Sequence, residues 1–124
     1  MKKIAIGSSM KYRSIVKDAF TKLSSLGLQP LFPNMDYSDD NSDKANTIEE
    51  KKRLAMEHYY AIKEADAVYL ITPQGYMGTS CKLELGYAIA LNKPIFFSEP
   101  TKDLALDCYV TAFIPLNNLE KFLT

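Results

Sequence analysis

Apolar residues fall into short continuous runs separated by longer amphipathic stretches. Lys3-Ile4-Ala5-Ile6 reads as a short buried strand that Gly7-Ser8-Ser9 breaks. Over residues 14–26, Ile15, Val16, Ala19, Phe20, Leu23 and Leu26 recur at helical spacing, and Gly27 stands where a left-handed cap ends a helix. Residues 28–32 read as a second strand, and Pro30 within it points to a sheet edge. Residues 34–46 are polar, with Asp36, Asp39, Asp40 and Asp43, and form the one long loop, a candidate lid.

Thr47-Ile48-Glu49-Glu50 has the capping-box pattern, so a helix runs from there to about Ala65, with Ile48, Ala55, Tyr59 and Ile62 along one face. Ala67-Val68-Tyr69-Leu70-Ile71 is a continuous apolar run, as in a central parallel strand. A glycine-containing loop follows over 72–79, and Ser80 is the expected cap of a helix over 81–91. Pro94-Ile95-Phe96-Phe97-Ser98 is another buried strand. Residues 112–116 suggest a last strand and 118–123 a short terminal helix.

Strands of this kind alternating with helices predict an α/β fold. It is a single Rossmann-like (flavodoxin-like) domain over residues 1–124, a parallel sheet with helices on both faces. Ligands of such sheets lie at the carboxyl ends of the strands, near the switch in strand order. The segments 7–13 and 72–80 and the residues after Ser98 should converge there.

Composition narrows the partners. The chain has 124 residues, enough for one core and no second catalytic domain. Lys+Arg is 15 and Asp+Glu is 15, a zero net charge that argues against a nucleic-acid polymer or a membrane surface as partner. The only cysteines are Cys81 and Cys108, and there is a single histidine, so neither a zinc site nor any other metal or cofactor is expected. The acidic segment misses the EF-hand spacing. The apolar run at the start is short for a signal peptide, and the expected setting is the reducing cytoplasm with free thiols.

Two loops could carry chemistry. Gly7-Ser8-Ser9-Met10-Lys11-Tyr12-Arg13 offers backbone amides, two hydroxyls and two cations before a helix, which suits an anion. It is neither a Walker A loop nor GxGxxG, and a plain strand-to-helix turn with solvated cations fits the same residues. The second loop includes Tyr76, Gly78, Thr79 and Ser80 and leads into Cys81-Lys82-Leu83-Glu84-Leu85-Gly86. Glu84 lies about one turn into the helix, and a carboxylate there can attack an acetal-like carbon. By spacing alone, a solvated first-turn glutamate is the commoner reading. Gly86 offers room for close approach of backbone or ligand. Cys81 reads as packing.

Ala65-Asp66-Ala67-Val68, the glycine loop, and Glu84-Leu85-Gly86-Tyr87-Ala88 followed by Lys93-Pro94-Ile95 resemble the nucleoside 2-deoxyribosyltransferase superfamily, which includes 2′-deoxynucleoside 5′-phosphate N-hydrolases. The resemblance implies cleavage or transfer at an N-glycosidic bond, with Glu84 as the nucleophile on C1′ of the sugar. It implies a nucleoside or nucleotide as the small-molecule partner. Gly7 and Ser8 would meet the sugar or its 5′ end, and a 5′-phosphate would suit Ser8, Ser9, Lys11 and Arg13. Tyr76, Gly78, Thr79 and Ser80 would complete the substrate contacts. A homo-oligomer, dimer or larger, is implied as well.

Three positions depart from the family pattern. Ile4 stands in place of a tyrosine, His58 in place of an aspartate, and Gly78 in place of an aspartate or serine. His58 could protonate the leaving base, because an unperturbed imidazole titrates near neutrality. Packing beside Tyr59 and Tyr60 is the competing reading. Asp66 is expected to fix the turn into the third strand. An enzyme is the leading reading. The alternative is a nucleotide-binding module of the same fold with weak or absent catalysis, and a flavodoxin-like or response-regulator-like domain ranks below both.

Overall fold

The structure is a computed structural model that describes residues 2–33 and 47–124. The candidate lid at 34–46, with its four aspartates, lies outside those residues. Among the described residues the strands are β1 (Lys3–Gly7), β2 (Gln29–Leu31), β3 (Ala67–Leu70), β4 (Ile95–Phe97) and β5 (Ala112–Phe113). All pair in parallel, in the order β2-β1-β3-β4-β5. The chain moves outward from β1 to β2 and then returns to the other side of β1 with β3. The switch in order therefore falls between β1 and β3, where such sheets open a crevice. Pro30 sits in β2, on the sheet edge, in register with Ile4.

The alternation of side chains along each strand sorts the core onto two faces. Ile4, Ile6, Tyr69 and Phe96 pack with Val16, Ala19 and Leu23 of α1 (Arg13–Ser25) and with Leu119 and Phe122 of the 3-10 segment Leu116–Leu123. Ala5, Val68, Leu70, Ile95 and Phe97 pack with Ile62 of α2 (Ile48–Glu64) and with Cys81, Leu85 and Ala88 of α3 (Thr79–Ala90). The Tyr69 hydroxyl donates to the Ile114 carbonyl at 2.6 Å, so the buried phenol keeps a partner.

Local signals set most of the helix ends. The Thr47 hydroxyl accepts the Glu50 N–H at 3.1 Å, as the capping box requires. Gly27, with φ 85°, turns the chain out of α1. Lys93 donates to the carbonyls of Lys63 (3.0 Å) and Ala65 (2.7 Å), capping the end of α2 with a cation.

Several expectations are corrected. Gly78, not Ser80, is the N-cap of α3. The buried positions of α2 are Leu54 and Ile62, whereas Ile48 is 84% exposed. The last strand covers only Ala112–Phe113, and the terminal helix is a 3-10 segment kinked at Asn118. Helix α4 (Leu104–Asp107), capped by Asp103, is too short to leave a periodic signal. A Cβ at Gly86 would meet open space among the described residues, not a closely approaching backbone.

Candidate active site

Helix α3 starts at the carboxyl edge of the sheet, directly beyond the glycine loop. Long side chains on a helix lean toward its N-terminus, which carries the Glu84 carboxylate back toward the end of β1. A Cβ on Gly7 would lie 2.7 Å from Glu84 Oε1. Glu84 is 7% exposed. Burial raises its pKa from 4.5 to about 7, against an opposing pull from the Lys51 ammonium.

The carboxylate faces a polar cavity of about 320 Å³, near the lower end of the range for small-molecule sites. Its wall includes Ser8 and Ser9 after β1, Tyr76, Gly78, Thr79 and Ser80 of the second loop, and Lys51 and His58 of α2. The fold thus brings Glu84, His58, Ser8, Ser9, Tyr76, Gly78, Thr79 and Ser80 to one cavity, with Gly7 beneath the carboxylate. A second, more apolar groove of about 520 Å³ runs between α2 and α3 and shares Lys51, Ser80 and Glu84 with the first.

Two of the sequence-nominated cations stand elsewhere. The Lys11 ammonium lies 3.8 Å from the centre of the Tyr76 ring, a cation-π contact that joins the first loop to the second. Arg13 is buried at the first position of α1 and is not among the residues lining the cavity. Lys51 was missed from sequence. A lone lysine on a helix carries no signal until the fold sets it beside a buried carboxylate.

His58 packs edge-on against Phe32, with ring centroids 5.1 Å apart. Burial, helped by Lys51, lowers its pKa to about 4, so the ring is neutral at pH 7. A neutral imidazole donates one hydrogen bond and accepts one. Burial also pushes the Cys81 thiol pKa up, which keeps the sulfur protonated and unreactive. Among the described residues no group of three or more His, Cys, Asp or Glu side chains could hold a metal ion.

The segment after Ser98 supports the site from outside the lining. The Thr72 N–H donates to Ser98 Oγ at 2.8 Å, and the Thr72 hydroxyl donates to the Glu99 carbonyl at 2.7 Å. Gly75, at φ 82°, lies so close that a Cβ would come 2.9 Å from the Pro100 carbonyl oxygen. Only glycine meets both demands there. Asp66 sits at the opposite edge of the sheet and accepts the N–H groups of Lys2 and Lys3, each at 2.9 Å. It clamps the start of β1 beside β3.

The family model for nucleoside 2-deoxyribosyltransferases matches residues 6–119. The chain belongs to the nucleoside 2-deoxyribosyltransferase family. Members transfer or cleave at the N-glycosidic bond of nucleosides or nucleotides. Solved structures of similar fold include a 2-deoxyribosyltransferase from Bacillus psychrosaccharolyticus, with 20% identity, TM-score 0.67, and coverage of 95% of this chain and 90% of that one. A CMP N-glycosidase of Clostridium botulinum aligns with 19% identity and TM-score 0.58, covering 98% of this chain and 97% of that one. A conserved protein of Enterococcus faecalis aligns with 10% identity and TM-score 0.60, covering 98% and 99%. No curated protein sequence matches the chain. Within this deoxyribosyltransferase fold, Gly78 serves as the N-cap of α3 and Ile4 as a fully buried core residue. Among the described residues no helix is long and apolar enough to cross a membrane.

Proposed function

We propose that this protein cleaves or transfers at the N-glycosidic bond of a nucleoside or deoxynucleoside, or of its 5′-monophosphate, with Glu84 as nucleophile. The observation that carries the reading is a buried carboxylate at the β1–β3 crevice, on the wall of a polar cavity and against a residue without a side chain. A Glu84 pKa near 7 leaves a useful fraction ionised at neutral pH and keeps the carboxylate basic enough to attack.

In the first step Glu84 forms a bond to C1′ as the C1′–N bond breaks. The electron pair of that bond leaves with the base, which then takes up a proton. In the second step water, or an N–H nitrogen of another base, attacks C1′ and gives up a proton to solvent, and the carboxylate departs with its electron pair. The positive charge developing on the sugar is oxocarbenium-like in both steps, and an adjacent carboxylate stabilises it. His58, neutral at pH 7, enters as a hydrogen-bond donor to the departing base. Ser8 and Ser9 fit the sugar and its 5′ end. Lys11 reaches a phosphate only by leaving the Tyr76 ring, and the CMP named for the Clostridium relative makes nucleoside 5′-monophosphates worth testing. A homo-oligomer in the reducing cytoplasm belongs to the same reading, and sedimentation equilibrium tests its first half.

Free base is measured by chromatography after incubation with deoxynucleosides and their 5′-monophosphates, with and without an acceptor base. Release that disappears in Glu84→Ala, with ligand binding retained, supports the reading. No release from any substrate, by folded protein that binds nucleotide, favours the binding module. His58 in place of an acid is the feature that keeps that second reading in play.

A further inference from the structure

Two side chains on α2 and two on α3 meet across the cavity. Lys51 Nζ donates to Ser80 Oγ at 3.2 Å. Ser80 and Glu84 are four residues apart on α3, one helical turn, so their side chains are neighbours. Lys51 and His58 are seven apart on α2, two turns along the same face. The Ser80 hydroxyl therefore holds the Lys51 ammonium about one turn from the Glu84 carboxylate and on the same side of α2 as the imidazole. Among the described residues lining the polar cavity, Lys51 is the one lysine or arginine.

Resting on the reading of Glu84 as nucleophile, we propose that Lys51, held at the cavity wall by Ser80, is a positioning residue that sets a positive charge beside the Glu84 carboxylate. One positive charge serves both ends, because it favours a nearby anion and disfavours a nearby cation. Burial is the larger cause of both shifts, raising Glu84 and lowering His58, and Lys51 opposes the first and adds to the second. The other titratable groups around Glu84 do not replace it. Tyr59 from α2 and Cys81 from α3 are neutral at pH 7, because burial, and after it the Glu84 carboxylate, raises the pKa of each. Lys52 lines the apolar groove and not the polar cavity.

The test reads Glu84 directly, without turnover. The carboxyl carbon of Glu84 is followed by 13C NMR against pH in the wild-type chain, Lys51→Met, Lys51→Arg and Ser80→Ala, the resonance being assigned by its loss in Glu84→Gln. In Lys51→Met the Glu84 midpoint moves to higher pH. Lys51→Arg keeps it near wild type, and Ser80→Ala, which leaves the charge but removes its tether, gives a smaller upward move. A parallel profile of kcat/KM for base release shows the acidic limb of Lys51→Met displaced upward. The rate falls roughly fivefold at pH 6 and little at pH 8.

A Glu84 midpoint in Lys51→Met equal to wild type overturns the inference. So does a Lys51→Met defect confined to KM for 5′-monophosphates, which assigns the ammonium to the phosphate. Absence of base release in the wild type removes the catalytic reading alone, because the NMR midpoint is measured without turnover.

Discussion

Gly7 and Glu84 occupy one space: where any other residue at the end of β1 would carry its Cβ, the glutamate has its carboxylate oxygen, 2.7 Å from that point. The glycine is therefore a condition for the carboxylate's position, and the strand end and helix α3 form a single device. The same Cβ would also lie 2.5 Å from Leu70 Cδ2 on the neighbouring strand, so the space is closed on two sides.

Gly7→Ala tests that relationship. The two crowded atoms are side-chain ends that can move, so stability should fall by about 1–3 kcal/mol, the ordinary cost of overpacking. Activity should fall further, by about two orders of magnitude, because a nucleophile displaced by an ångström loses its line of attack. Thermal unfolding and base release measured on the same preparation give both numbers. Wild-type activity in this variant would mean that the carboxylate does not act from where it sits.

The Glu84 carboxyl should cost the fold stability. Its pKa is about 7 in the folded chain against 4.5 for an unperturbed glutamate. Below pH 4.5 both states hold it neutral. As the pH rises from 4.5 to about 7 the unfolded chain ionises first, and stability is lost across that window. Glu84→Gln removes the penalty. It should match wild type near pH 4.5 and exceed it by about 1–3 kcal/mol at pH 8 in urea unfolding. Equal stability at both pH values would mean that the carboxyl is hydrated and not buried.

His58 has the opposite pH signature. Its folded pKa is about 4, below the 6.5 of a free imidazole. Stability is complete above pH 6.5 and declines as the pH falls toward 4, because the unfolded chain takes up a proton that the fold refuses. His58→Phe should keep the edge-on packing against Phe32 and flatten this part of the curve. It should also slow base release by about tenfold to a hundredfold if the imidazole hydrogen-bonds the leaving base. Unchanged turnover would reduce His58 to a packing residue.

Much of the scaffold was legible because its signals are local. The apolar run at 67–71, the helical spacing after Ser14, the capping box at Thr47 and the turn at Gly27 are read within a few residues, and the fold respects each of them. The misreadings were local as well. Ser80 looks like a cap, but Gly78 caps the helix two residues earlier, and the Ser80 hydroxyl accepts from Lys51 instead. Ile48 fits the apolar stripe of α2, yet at the first position of that helix it is left exposed.

By itself the sequence determined the order of strands and helices, the family, and the loop-to-helix setting that singles out Glu84. Those depend on periodicity, capping chemistry and turn residues, all of which act over short spans of chain. Only the tertiary structure decided the ionisation of the site and the company Glu84 keeps. Protonation depends on burial and on charges close in space, and here the relevant charge comes from Lys51 on a different helix, 29 residues from the hydroxyl that holds it. The same reason separates the remaining nominees. Lys11 and Arg13 follow β1 as closely as a phosphate-binding pair would, but an aromatic ring takes the first and burial takes the second.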